Sequence, residues 1–441
     1  MVFAGDFRQT LPIIRGCSDE QIAKVVASKA PVYEHARKYA LSENMRIKLR
    51  SVEIQNQLDA AAGSDLADDL QVAQKARRDL ARQTKFTSDL RDVGDGKTPA
   101  ADLASEFHLP STYIDLNKIG VSDDVQEDQE GKEGTEGKEG ANMGGRVAPD
   151  SIVLRSKECP TRGRPADDAM VEDLVDFVYP ELHSVHAILE PGDVVQDKDL
   201  PMRRAKTISD SLLGRAVLTP LNVTTHAIND RCLEVMRGLP ATSYYSGDST
   251  VEQQTGEKLK FPPSIEELNA ITPSGFPLHK LDIKTGCLII IVHNLNEMLT
   301  NGTRCVVINH SPLRLFVKVM TENKFKDKTA WVPRIAMKEE ILNQGNCYHL
   351  RRIQFPCRLG YALTINKAQG QSLKLAGVFL PTSCFSHGQL YVALSRVGSP
   401  DAIRVLLTHD HPYARESDYS ATANIVRPDV LLSGDAGTVE P

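Results

Sequence analysis

The 441-residue sequence lacks the features that mark several classes of protein. Its eight cysteines are scattered and form no C-x-x-C pair, which argues against a disulfide framework or a thiolate zinc site and indicates reduced thiols of a cytosolic or nuclear protein. The longest apolar run, from Cys287 to Val292, is far too short to cross a bilayer. Asp6 and Arg8 interrupt the first residues where a signal peptide needs an unbroken apolar run.

An overall excess of positive charge, which often accompanies nucleic-acid binding, is also missing, since the net charge is −6. That total conceals two segments of opposite sign. Residues 122–140 hold eight acidic residues and two lysines, whereas residues 351–407 hold seven Arg or Lys and one acid, Asp401. A site for a polyanion is therefore expected in the second segment.

Short apolar strands alternate with helical stretches in the carboxyl-terminal half, a pattern typical of an α/β fold with a parallel sheet. The elements predicted there are strands at 216–220, 361–365, 377–380 and 403–407 and a helix at 223–236. Residues 309–357 instead hold strand-like runs between polar turns and predict a small antiparallel insert. Asn301-Gly302 is a hairpin signal, and we do not expect its N-G-T sequon to be glycosylated without a secretory signal.

Two segments look peripheral to the predicted core. Residues 50–93 have helical spacing but a thin apolar face, so an exposed helical excursion is expected. Residues 122–146 repeat the unit E-G-K-E-G, and their glycine and like charge leave nothing to bury, which predicts a disordered acidic linker.

The segment G-D-F-R-Q-T-L-P (5–12) directly follows a short apolar strand. Open parallel sheets bind ligands beyond the carboxyl ends of their strands. The amide of Gln9 would lie there, able to donate to a phosphate oxygen and to accept from a water. Ordinary turn residues would explain the same pattern.

Two arginines have both an ordinary and a catalytic interpretation. Arg46 ends the segment L-S-E-N-M-R and is either a surface charge or a fork for terminal phosphate oxygens. Arg396 ends a predicted helix at 387–396, where it either offsets the helix dipole or acts as an arginine finger on a γ-phosphate.

The segment 361–372 runs from a strand into a turn rich in hydrogen-bonding side chains. Thr364, Asn366, Lys367 and Gln369 could all bond a nucleic-acid backbone. The same residues could equally cap a packed α/β turn.

The order and wording of these segments resemble the Pif-type (petite integration frequency) DNA helicases, including those carried by Helitron transposons. The resemblance rests on these stretches: 5–12, 41–46, G-D-G-K (94–97), L-V-D-F-V-Y-P-E-L (174–182), L-T-P-L-N (218–222), Y-Y-S-G-D-S (244–249), 268–281, N-G-T-R (301–304), 361–372 and 387–397. Nearly the whole chain is covered except 51–85 and 111–150.

The resemblance implies roles for individual residues. Gln9 would sense the γ-phosphate, and Arg46 and Arg396 would clamp it. Gln389 and Tyr391 would support the ATP cleft. The residues implied to contact single-stranded DNA are Thr364, Asn366, Lys367, Gln369 and Gly370.

The resemblance also implies the function and the cellular setting. The function is ATP-dependent 5′–3′ DNA unwinding in repair, recombination, telomere maintenance or transposon replication. The implied cofactors are ATP and Mg²⁺, and the partners are single-stranded DNA and duplex forks, with no membrane. We expect a monomer in the nucleus or mitochondria.

The implied α/β architecture is a partial first RecA-like lobe and a nearly complete second RecA-like lobe with a small β-barrel insert. The expected divisions are a first-lobe remnant (1–50), a helical excursion and connector (51–118), the acidic linker (119–148), a connector and the start of the second lobe (149–308), the insert (309–357), the end of the second lobe (358–415) and a flexible tail (416–441).

Such a motor needs a phosphate loop, G-x-x-x-x-G-K-S/T, and an acidic pair for Mg²⁺. Both are expected upstream of Gly5, so the family's main binding residues for ATP and Mg²⁺ are expected to be missing. The G-K-T at 96–98 is not such a loop, because Arg91 occupies the position of the first glycine and Pro99 follows.

The resemblance and the missing loop leave three hypotheses open. The chain is a helicase that lacks its amino-terminal portion, a non-catalytic remnant that binds single-stranded DNA, or a scaffold acting through the acidic linker or the 51–85 helix.

His409-Asp410-His411 has metal-like spacing but no third ligand in view, and a loop is expected. Cys287, Cys305 and Cys384 are expected to fill core.

Overall fold

In the computed structural model of the protein, the described residues are 8–11, 21–22, 51–56, 67–97, 113–116, 119, 152, 166–185, 200–251, 263–273, 275–343, 346–408 and 421–427. The predicted strand at 1–4, Arg46, the acidic linker, residues 409–411 and the tail beyond 427 lie outside these ranges.

The chain divides into two units, each assembled from separate stretches of sequence. The first combines Met1–Val178, Ala216–Thr225 and Leu363–Pro441, and the second combines Tyr179–Arg215 and His226–Ala362. The segment 361–372 therefore begins where the chain passes from the second unit into the first.

The first unit is built on a four-stranded sheet. Its strands, in the order in which they lie side by side, are β13 (Ala362–Thr364), β2 (Arg215–Thr219), β14 (Leu375–Leu380) and β15 (Ile403–Leu407). Strands β14 and β15 are parallel, from Ala376 opposite Ile403 to Leu380 opposite Leu407. These strands are almost wholly buried, as continuous apolar runs in parallel sheets are, and the α/β prediction is confirmed at this level.

Helix α2 (Ala166–Val178) covers β14 and β15. Leu174, Val175 and Val178 are fully buried on its inner face. A Cβ atom at Gly377 would lie 3.0–3.1 Å from side-chain atoms of Val178 and Leu174. The glycine therefore lets the helix lie close against the sheet.

Helix α1 (Ala67–Asp95) corrects the prediction of an exposed excursion. Phe86, Leu90 and Val93 are buried, and the helix packs against α6 (Gln389–Leu394) and the 3-10 helix Pro400–Ala402. The stripe looks thin in the sequence because two of its buried positions are polar, Gln83 and Asp89.

The second unit is dominated by antiparallel strands. The strands are β3 (Thr242–Tyr245), β4 (Gly247–Val251), β5 (Lys280–Ile283), β6 (Leu288–Ile291), β7 (Arg304–His310), β8 (Arg314–Val319), β9 (Thr329–Pro333), β10 (Ile335–Asn343), β11 (Asn346–Gln354) and β12 (Cys357–Leu359). A five-stranded sheet has the order β12-β6-β7-β8-β9, a three-stranded sheet has the order β10-β11-β4, and β3 pairs with β5.

These antiparallel strands extend from Thr242 to Leu359, well beyond the predicted insert at 309–357. The apolar run at β6 pairs antiparallel with β7 and β12. Its continuous burial pattern does not distinguish a parallel from an antiparallel partner. The Asn301-Gly302 turn precedes β7, with Gly302 at φ +91° and its N–H donating to Ile291 O at 2.8 Å.

Helices pack against the strands of this unit. Helix α3 (Leu200–Leu212) lies on β7, and α4 (Asn222–Val235) follows β2 as predicted. Helix α5 (Ile265–Ala270) begins with a capping box between Ser264 and Glu267 and contacts β4. A short two-stranded sheet pairs β1 (Tyr113–Asp115) with β16 (Ala421–Ala423) in the first unit.

The predicted core cysteines are confirmed as core. Cys287, Cys305 and Cys384 are buried, and burial raises the pKa of each thiol to about 12. Such thiols are unreactive near neutral pH. Within the described helices, none combines the length and apolarity needed to cross a bilayer.

We predict that Phe86→Ala lowers the free energy of unfolding by about 3–5 kcal/mol, because it empties a fully buried site on α1. Urea unfolding followed by circular dichroism measures the change. Ser88→Ala, at an exposed position on the same helix, is expected to stay within about 0.5 kcal/mol. A loss below about 1 kcal/mol for Phe86→Ala would restore the exposed-helix interpretation.

Candidate functional site

The segments 5–12 and 387–397 meet through the backbone at Gly388. Gly388 caps the start of α6 with φ +66°, in the left-handed region that favours glycine. A Cβ atom there would overlap with the carbonyl group of Arg8 and lie 2.9 Å from the carbonyl carbon of Gln9. This position therefore requires glycine both for its dihedral angle and for its neighbour.

The side chain of Arg8 joins the same place to the end of α1. Its Nε lies 2.6 Å from Asp95 Oδ1, and Lys97 Nζ lies 3.3 Å from Asp95 Oδ2. Burial opposes ionisation of Asp95, but the hydrogen bond and charge of Arg8, together with Lys97, bring its pKa below the usual value. The ion pair is thus formed at neutral pH and is lost as the pH falls through that lowered pKa.

The G-D-G-K segment lies beside both of these elements. A Cβ atom at Gly94 would be 2.6 Å from Arg8 Cδ and 3.0 Å from the ring of Tyr391. The segment ends a helix that begins at Ala67, whereas a phosphate loop follows a strand and opens a helix. The prediction that G-K-T here is not a phosphate loop agrees with this geometry.

Thr10 links the first segment to the turn at 361–372. Its hydroxyl donates to Gln369 Oε1 at 3.0 Å, between residues 359 apart in the sequence. The turn contains the 3-10 helix Ile365–Ala368. Lys367, Gln369 and Gly370 are exposed on it.

Not all the predicted DNA-contacting residues face outward. Thr364 is buried and Asn366 is half-buried. Gly370 has φ +80° and open space where a Cβ atom would stand. Lys367, Gln369 and Gly370 are therefore the members of the predicted set that a strand could reach directly in this arrangement.

Arg396 lies inside the protein and holds the turn from its other side. Its guanidinium donates to Val392 O at 2.7 Å, to Gln371 O at 3.2 Å and to Ser395 Oγ at 2.8 Å. Leu373 N–H donates back to Arg396 O at 2.9 Å. Arg396 therefore connects the end of α6 to the turn through hydrogen bonds. Its role at a γ-phosphate stays a prediction.

Gln389 and Tyr391 lie on α6, next to Gly388. Gln389 is buried, and its Oε1 accepts from Phe385 N–H at 3.1 Å. Its Nε2 is a buried donor without a hydrogen-bond partner among the described residues. Tyr391 is half-buried with its ring beside Gly94. A polar ligand would satisfy the Gln389 amide, as its predicted role in a nucleotide cleft requires.

The structure brings four predicted segments together: 5–12, 94–97, 361–372 and 387–397. Arg46 lies outside the described residues. Over the ranges that the structure describes, no group of three or more His, Cys, Asp or Glu side chains is placed to hold a metal ion.

A buried ion pair in the second unit was missed by the sequence analysis. Arg352 Nη2 lies 2.6 Å from Asp248 Oδ2, and both side chains are fully buried. Arg352 also donates to the carbonyls of Leu268 and Pro277 at 3.0 Å. Arg352 therefore connects the segment 244–249 to the segment 268–281. The acidic residue Asp248 within Y-Y-S-G-D-S was the sequence feature that could have pointed to a buried basic partner.

Comparisons with known proteins converge on one helicase family. A family model described as "PIF1-like helicase" matches residues 1–75, and one described as "DNA helicase Pif1, 2B domain" matches residues 266–310. The first match includes Gln9 and Arg46, and the second includes the N-G-T-R segment.

The curated relatives are ATP-dependent DNA helicases. The Campylobacter jejuni Pif1 is 31% identical over 150 residues, covering 32% of this chain and 33% of that protein. The Mus musculus PIF1 is 34% identical over 152 residues, covering 32% and 22%. RRM3 of Saccharomyces cerevisiae is 47% identical over 57 residues, covering 13% and 8%. The matches thus span a third or less of the relatives' length.

Among solved structures, the chain is similar to a Pif1 helicase from Candida albicans, with a TM-score of 0.36 and 22% identity over 56% of this chain and 55% of that one. A Bacteroides Pif1 bound to ssDNA gives a TM-score of 0.31 and 17% identity over 55% and 49%.

We predict that Gly388→Ala destabilises the protein more than Gly370→Ala. Both positions have positive φ, so each alanine costs about 1–2 kcal/mol in backbone strain. Only at position 388 does the new methyl group also collide with backbone, that of Arg8 and Gln9. We expect a total loss of about 3 kcal/mol or more there, measured by urea unfolding. Equal losses would mean that residues 8–9 do not rest on Gly388.

Proposed function

We propose that this chain, a relative of the PIF1-like helicases, is part of an ATP-dependent 5′–3′ DNA helicase and couples a nucleotide to a single DNA strand. Support comes from the family matches at 1–75 and 266–310 and from the four segments that meet in the first unit. In this proposal the first unit carries the RecA-like sheet, and the antiparallel strands of the second unit form the small barrel.

The observation that carries the proposal is the bond between Thr10 and Gln369. Thr10 follows Gln9, the predicted γ-phosphate sensor, and Gln369 lies in the predicted DNA-contacting turn. A shift of Gln9 with the state of the nucleotide would move Thr10 and, through it, the side chain of Gln369. The chain thus holds a direct hydrogen-bonded link between the two predicted sites.

The other side of the same turn is held by Arg396, through the carbonyl of Gln371. Arg396 lies two positions after the end of α6, which carries the predicted nucleotide residues Gln389 and Tyr391. The turn is therefore fixed between two elements that both have a predicted contact with the nucleotide. Gly370 is exposed between these two anchored residues and Lys367 is exposed just before them, where a phosphate backbone could approach.

ATP bound at this place would supply the phosphoryl-transfer energy for movement along DNA. The residues of this chain that would contact its γ-phosphate are Gln9, Arg46 and Arg396, and Gln389 and Tyr391 would support the cleft. Over the described ranges, no cluster of three or more His, Cys, Asp or Glu side chains accompanies these residues. The 441 residues also contain no match to G-x-x-x-x-G-K-S/T, so we expect no DNA-stimulated ATP hydrolysis by this chain alone.

A second function, a non-catalytic single-stranded-DNA-binding remnant, is favoured by that missing loop together with the exposed turn. The two functions differ in their response to the nucleotide. Coupling requires that ATP changes the affinity for DNA, whereas a remnant binds DNA equally with and without ATP. Localisation in the nucleus or mitochondria is proposed with either.

We predict that Lys367→Ala weakens binding of a labelled oligo(dT) and reduces the slope of log K against log salt by about 0.7, because one phosphate contact is lost. Fluorescence anisotropy at several salt concentrations measures both quantities.

Lys374→Ala serves as the matched control, since Lys374 is exposed seven positions further along the chain and is expected to leave the slope unchanged. Repeating the titration with ATP separates the two functions. Unchanged binding by Lys367→Ala would exclude the turn as the DNA contact. ATP turnover that oligo(dT) stimulates and Arg396→Ala abolishes would show that the loop is not needed.

A further inference from the structure

An unusual group of side chains, called here the Trp331 patch, combines Arg314, half-buried Phe316 and Trp331 on the outer face of strands β8 and β9 with exposed Leu313 in the bend before β8. Trp331 is the only tryptophan of the sequence and is 49% exposed, and Leu313 is 76% exposed. Side chains of this size are ordinarily placed in the core. Their exposure together suggests a surface that binds something.

Strand register explains why Arg314, Phe316 and Trp331 share a face. Phe316 pairs with Trp331 and Arg314 pairs with Pro333. The alternate residues of the same strands, Leu315 and Val332 among them, are fully buried on the inner face. The residues of the patch are therefore not needed to fill the core on the inner side of the hairpin. A solvent-facing sheet surface would ordinarily carry polar residues.

The patch is held in a definite geometry. The ring centroids of Phe316 and Trp331 are 4.6 Å apart with an interplanar angle of 34°. The Arg314 guanidinium carbon lies 4.3 Å from the centre of the Trp331 ring. A tryptophan braced by an aromatic and a guanidinium presents flat surfaces, and both rings and guanidinium planes can stack on a base.

The surrounding charge is positive. Residues 311–334 hold six Arg or Lys and two acids, in a chain whose net charge is −6. Lys318 is buried against Asp327 at 2.9 Å, and the exposed pairs of Lys324 with Glu297 and Lys326 with Glu322 are long. Arg314 and Lys328 form no ion pair with any described residue. Aromatic and basic side chains together match a strand of unpaired nucleotides.

We propose that the Trp331 patch is a stacking platform for single-stranded DNA in the second unit, with bases on Trp331 and phosphates near Arg314 and Lys328. Duplex DNA is a poorer occupant, because its bases are already stacked and cannot lie on an exposed ring. This inference rests on the proposed function in one respect, namely that the chain binds a single strand.

Intrinsic fluorescence tests the proposal directly, because every photon of tryptophan emission comes from position 331. We expect oligo(dT) to quench the emission of the full chain saturably, with the same midpoint as the anisotropy of a labelled oligo(dT). We expect Trp331→Ala to weaken the anisotropy-measured affinity by about 5- to 100-fold. Trp331→Phe, which keeps an aromatic face, should retain most of the affinity.

Ile265→Ala is the control, because Ile265 is also an exposed apolar residue of the second unit, at the start of α5. It should leave the affinity unchanged, and a thermal midpoint for each variant checks folding. Binding with unchanged emission and an unaffected Trp331→Ala variant would overturn the platform and leave the proposed function intact.

Two other outcomes also count against the platform. Absence of oligo(dT) binding in both readouts would remove the proposed function together with it. A change of Trp331 emission on concentrating the protein without DNA, and none on adding DNA, would identify the patch as a contact between copies of the chain.

Discussion

The contact between the Arg8 carbonyl and Gly388 is the constraint on which the rest of the site depends. It brings two distant parts of the sequence so close together that a Cβ atom at position 388 would overlap with the Arg8 carbonyl. Once Arg8 lies there, its side chain reaches Asp95 at the end of α1, and Thr10 reaches Gln369. A backbone contact of this kind cannot be adjusted by choosing another rotamer. The other side-chain contacts are therefore built around one fixed point.

The turn at 361–372 illustrates what this fixed point would do for the proposed coupling site. Two nearby residues of the turn are tied to other elements, Gln369 to Thr10 and Gln371 to Arg396. Both ties are single hydrogen bonds or small sets of them, each worth about 1 kcal/mol net. Links of that size can exchange when a ligand binds, whereas the buried sheet beneath them cannot. The exposed Lys367 and Gly370 therefore lie on the part of the first unit that is best able to respond.

Much of the first unit is predictable from the sequence, because its strands are continuous apolar runs and α4 follows β2 with helical spacing. The meeting of the four segments is predictable only through the resemblance, since spacing alone brings no pair of them together. The burial of α1 is not visible, because Gln83 and Asp89 share its inner stripe with Phe86. Asp248 and Arg352 are 104 positions apart in the sequence, so no local sequence pattern could predict that they pair.

The two proposed contacts with DNA differ in their physics. Lys367 lies in a segment, 351–407, with an excess of positive charge that would attract phosphates. Such contacts weaken as salt is added, because the release of counterions from DNA is then less favourable. Stacking on Trp331 depends on π-surface and apolar contact, which salt screens little. If both surfaces bind one strand, raising the salt should remove the contribution of the first unit before that of the second. The tryptophan emission would then report the contact that persists longest.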